Sequence, residues 1–114
     1  MASARIFVRV AGLSGALAVS AGAYGAHTFK LSDADDYLKE VYGTANRYHY
    51  IHTLALLGVP HCRYPLMAGS LLTAGMVFFC GSCYAHALLG NGNVRSVTPF
   101  GGMCLIAGWL AMVI

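Results

Sequence analysis

Residues 46–53, NRYHYIHT, place an asparagine, an arginine, two histidines and a threonine directly before an apolar run. On a helix Asn46, His49 and Thr53 share one face with His52 on its flank, while Arg47 points nearly the opposite way. Three chemistries suit such a set. His49 and His52 occupy adjacent helical positions for a metal or haem, and Cys80, Cys83 and His86 are further soft ligands. An arginine with two histidines can begin a proton route through a membrane. The same amide, imidazoles and hydroxyl can instead do no more than pair one helix with another.

The residue types around the set weigh these against each other. No acid lies nearby to orient a ligating histidine. No charged residue carries a proton route onward through the other apolar segments. CGSC, residues 80–83, has the spacing of a dithiol oxidoreductase, but it falls late in an apolar helix and not at a helix N-terminus. The balance favours helix pairing by Asn46, His49, His52 and Thr53, with Arg47 facing headgroups or a loop. Transport and a His/Cys metal or haem site stay as alternatives. No catalytic residue, cofactor or metal site is assigned, and the chain is not read as an enzyme.

The elements that must hold these groups follow from composition. Of 114 residues 58% are hydrophobic and 10% charged, against about 25% charged in an ordinary soluble chain. Apolar surface on that scale needs lipid, so the partner implied first is a bilayer. The net charge of +3 is not a nucleic-acid signal, because the arginines stand singly and form no stripe. No small-molecule substrate is indicated. Cys62 sits in a short turn and Cys80, Cys83 and Cys104 in apolar runs, a distribution that suits reduced packing residues better than a disulfide framework.

Four apolar helices are expected, at about 6–26, 45–60, 65–89 and 97–114, in a single domain over 1–114. The first and third reach the roughly 20 residues needed to cross the hydrocarbon core; the second and fourth are short. Arg5 and Arg9 before an apolar stretch, with AVSAGA behind it, have the form of a signal peptide. Since the chain starts at Met1 with this stretch, it is expected to remain as an anchor. Between the first two spans an amphipathic helix is expected at about 33–42, apolar at Ala34, Tyr37, Leu38, Val41 and Tyr42, and lying on the membrane surface. Ser32 and Asp35 look like its capping box, and Gly43 a joint before the second span dives inward. PHCRYP (60–65) and NGNVRS (91–96) are tight turns, so the chain should weave up and down with both ends on one side. Basic residues divide almost evenly between the two sides and give no orientation.

Small residues recur at heptad spacing. Ala11, Gly15, Ala18, Gly22 and Gly25 mark the first helix; Gly69, Thr73, Met76, Cys80, Cys83 and Ala87 the third; Gly101, Cys104, Gly108 and Ala111 the fourth. Lipid gives helices no hydrophobic drive to associate, so close contact through such stripes must supply it. The fold class is all-α: an integral membrane four-helix bundle with an amphipathic interfacial helix.

ANRYHYIHTLALLGVPHCRYPLMAG, with FFCGSCYAHAL, PFGG and GW after it, closely resembles the transmembrane protein 256 family over nearly the whole chain; YHYIHTLALL, residues 48–57, is the most specific piece. The resemblance implies a four-helix membrane protein and, for animal-type members, a mitochondrial location, with no established activity. His49 and His52 follow the family pattern. His86 stands where relatives carry glutamine, and Cys83 is not common to every member, which counts against a His/Cys metal site as a family property. The expected role is a non-catalytic accessory or structural component of a larger inner mitochondrial membrane complex, respiratory being one option.

Overall fold

Proline and glycine set the helix ends. In the computed structural model, which describes residues 5–33, 35–90 and 92–114, Pro65 opens the longest helix and Gly90 closes it at φ 68°. That left-handed backbone is open to glycine at little steric cost. The elements are α1 (Arg5–Tyr24), α2 (Asp36–Gly58), α3 (Pro65–Leu89) and α4 (Thr98–Ala111). A π-helical turn, Gly25–Phe29, extends α1, and 3-10 turns at Val59–His61 and Gly92–Ser96 join α2 to α3 and α3 to α4. Ala34 of the amphipathic pattern and Asn91 of the second turn lie outside the described residues.

One boundary differs from expectation. No surface helix ends at Gly43: α2 runs unbroken for 23 residues and carries the amphipathic stretch and the second apolar segment together. A side chain at Gly43 would meet nothing within 4 Å, so it faces open space. Its cost of about 1 kcal/mol against alanine is offset by Tyr42 and Ala45, both buried beside it. The capping box is also corrected, since α2 starts at Asp36 and the Ser32 hydroxyl donates to the Phe29 carbonyl behind it (2.6 Å).

Successive helices pack antiparallel. Ser14 of α1 meets Thr53 of α2, and the Tyr42 hydroxyl, further back on α2, donates to the Ala21 carbonyl, further on in α1. Phe7, Ala11, Leu56, Val59, Leu72, Met76 and Leu105 form an apolar plug at the end where α1 and α3 begin. Phe29, Tyr42 and Ala87 form a second plug at the other end. Glycines allow the close approach: a Cβ on Gly69 would lie 2.5 Å from the Phe7 ring, and one on Gly101 would run into the Phe79 backbone nitrogen.

The stretches Arg5–Phe29, Pro65–Leu89 and Gly92–Ala111 are long and apolar enough to cross a membrane. Helix α2, with Asp36, Lys39, Glu40 and Arg47, is not apolar enough by itself. It packs alongside α1 from Tyr42 to Val59. Leu13, Leu17, Leu54, Val77, Ile106 and Leu110 point outward, as lipid-facing residues should.

Candidate functional site

Between the two apolar plugs lies a polar layer built on α2. Asn46 leads it. Its amide donates both to the Ala18 carbonyl and to the Tyr84 hydroxyl, each at 3.1 Å. Tyr84 Oη is also 3.1 Å from His49 Nδ1. The Tyr84 hydroxyl accepts from the amide and shares a second hydrogen bond with His49 Nδ1, whose direction follows the His49 tautomer. The chain of bonds thus runs from Asn46 through Tyr84 to His49 and joins α1, α2 and α3. Rings reinforce it: Tyr42 and His49 both stand edge-on to Tyr84, with centroids at 5.1 and 5.8 Å.

His52, one turn on, is fixed from both sides. Its Nδ1 lies 2.8 Å from the Tyr48 carbonyl, which can only accept, so Nδ1 carries the proton. Trp109 of α4 donates its indole N–H to Nε2 at 3.0 Å, which requires a lone pair there. Both nitrogens are committed in one tautomer. Thr53 completes the layer through Ser14, oxygen to oxygen at 2.6 Å.

The structure places the remaining singled-out residues as follows. First, the cluster lies deep, since Ser14 and Ala18 fall in the middle third of the 25-residue first span. Second, Arg47 stands apart as expected, exposed and, among the described residues, hydrogen-bonded along its own helix to Thr44 Oγ1 (3.2 Å). Third, the soft ligands do not gather. His86 lies edge-on to Tyr37 at 5.8 Å, Cys80 and Cys83 are buried free thiols on α3, and among the described residues no three of His, Cys, Asp and Glu form a group.

The stripe glycines also take definite places. Gly15 faces Thr53, Gly22 faces Tyr50 and Asn46, Gly69 faces Phe7, Gly101 faces Phe79 and Gly108 faces Leu72. Gly75, absent from the stripe, is as tight as any, with Leu105 2.7 Å from where its Cβ would be. Sequence reasoning also missed Tyr84, Trp109 and Ser14. For Tyr84 and Trp109 a signal was available, since a phenol or indole in an apolar segment ordinarily finds a polar partner.

Beside His49 the layer opens sideways. A groove of about 420 Å³ between α1 and α3 is walled by Leu13, Leu17 and Val77, with Tyr84 and Thr73 along it. The buried Thr73 hydroxyl has no hydrogen-bond partner among the described residues.

Residues 21–102 match the family described as a protein of unknown function, DUF423. The chain belongs to that family. It is 36% identical to a UPF0382 membrane protein of Staphylococcus aureus, with 96% of this chain and 93% of that protein covered. It is 32% identical to the UPF0382 membrane protein YwdK of Bacillus subtilis (96% and 94% covered) and 34% identical to one from Schizosaccharomyces pombe (92% and 96%). No solved structure matches. With its apolar helices, membership in this family makes the chain a small multi-pass membrane protein.

Proposed function

We propose that the protein is a non-catalytic accessory subunit of a larger complex in the inner mitochondrial membrane. One observation carries this reading: chemistry is turned inward and contact surface outward. Asn46, His49, His52 and Thr53 each spend their hydrogen bonds on other helices or on backbone, while the outer surface presents large apolar side chains. Such a body supports neighbours through its shape. The mitochondrial placement is supported by the resemblance of residues 48–57 to the transmembrane protein 256 family, and by the acid-free, arginine-bearing start of the sequence. A respiratory assembly is the first to examine. Removing the protein from cells should lower the abundance of one inner-membrane assembly while leaving the others unchanged. Unchanged assemblies throughout would overturn the reading.

The sideways groove beside His49 favours a second reading, a small transporter or channel component. Proton or solute flux by the purified protein in liposomes, abolished by His49→Gln, would establish it. In a third reading, a His/Cys metal or haem protein, His52 would first have to give up Trp109 or the Tyr48 carbonyl.

A further inference from the structure

The chain has only two lysines, Lys30 and Lys39, and both border one pocket of about 390 Å³ between the end of α1 and the start of α2. Three features make this a built recess. The π-helical turn Gly25–Phe29 widens the end of α1, with Lys30 N bonded to the Gly25 carbonyl at 2.7 Å; such turns are rare and recur at functional sites. Gly22, Gly25 and Gly43 line the recess without side chains of their own, and Tyr42 packs directly against Gly25. The buried Phe29 and Tyr42 rings, tilted at 36° with centroids 5.0 Å apart, give it an apolar floor. Lys30, Lys39 and Glu40 also line it, and among the described residues no ion pair neutralises any of the three.

The charge pattern identifies the occupant. A phosphodiester satisfies two lysines, and an apolar floor suits the chains attached to it. A purely anionic headgroup would also feel Glu40 and the nearby Asp33, Asp35 and Asp36. A headgroup that carries its own ammonium does not meet that repulsion and gives Glu40 a partner. We propose that this pocket binds a phospholipid with a primary-amine headgroup, phosphatidylethanolamine, its phosphate between Lys30 and Lys39 and its ammonium on Glu40.

Native mass spectrometry of the full-length protein in detergent micelles tests this with four additions in turn: phosphatidylethanolamine, phosphatidylcholine, phosphatidylglycerol and inorganic phosphate. Phosphatidylethanolamine should be retained best, because the methylated ammonium of phosphatidylcholine cannot donate to Glu40. Lys30→Gln and Lys39→Gln should each lower its retention about fivefold, the weight of one basic residue at a membrane surface. Lys30→Arg with Lys39→Arg should preserve it, and so should Arg47→Gln, outside the pocket, with helix content by circular dichroism confirming the fold of every variant. Glu40→Gln should bring phosphatidylethanolamine down to phosphatidylcholine and raise phosphatidylglycerol. Undiminished binding in the lysine variants would overturn the site. Preference for phosphatidylglycerol, or selectivity unmoved by Glu40→Gln, would overturn the ethanolamine assignment. Displacement of the lipid by inorganic phosphate would show a free-phosphate site instead.

Discussion

Tyr84→Phe removes one oxygen and leaves the ring in place between Tyr42 and His49. Two hydrogen bonds go with it, one from the Asn46 amide and one shared with His49 Nδ1. At the roughly 0.6 kcal/mol measured on average for interhelical bonds in membranes, their direct loss is about 1.2 kcal/mol. Stranding a buried amide hydrogen and an imidazole nitrogen costs about 1–3 kcal/mol for each group left unpaired. Asn46 keeps its bond to the Ala18 carbonyl, so the total should stay near the low end, about 1–2 kcal/mol. Reversible unfolding in micelles, followed by far-UV circular dichroism, measures this. Asn46→Leu in the Tyr84→Phe background should then cost about 0.5 kcal/mol or more below the sum of the single changes, because the two share a bond. A neutral Tyr84→Phe, or strictly additive effects, would show that the Asn46–Tyr84–His49 chain does not hold the helices together.

Gly101→Ala should destabilise by about 1–3 kcal/mol, because its new methyl meets the Phe79 backbone and nothing flexible can yield. Gly81→Ala, with open space around it, should instead stabilise by about 0.5–1 kcal/mol in the same unfolding assay. His52→Leu should shift Trp109 fluorescence to shorter wavelength, as the indole N–H loses its acceptor; unchanged emission would refute the bond. Cys80 and Cys83 should resist maleimide in the folded protein and react once it is denatured, and replacing both with alanine should leave the helices intact.

Composition and proline placement made most of the fold legible. The expected third helix, 65–89, coincides with Pro65–Leu89 because proline marks its start and a left-handed glycine follows its end. Gly43 misled because a glycine breaks a helix only where neighbours do not hold the turn, and buried Tyr42 and Ala45 hold it here. That Asn46, His49, His52 and Thr53 share the inner face followed from helical period. Their partners did not, because Ala18, Tyr84, Ser14 and Trp109 come from three other helices whose register no local pattern encodes. Gly75 was hidden for a related reason: α3 packs on α2 through one face and on α4 through another, and a single heptad stripe describes only one of them.

The reading as an accessory subunit is tested most directly by the native size of the protein in its own membrane. After solubilisation in mild detergent, native electrophoresis with detection of the 12.0 kDa chain should place it in an assembly many times its mass, together with larger integral membrane proteins. Migration as a free monomer or as a small homo-oligomer, under conditions that preserve large membrane complexes, would contradict the account.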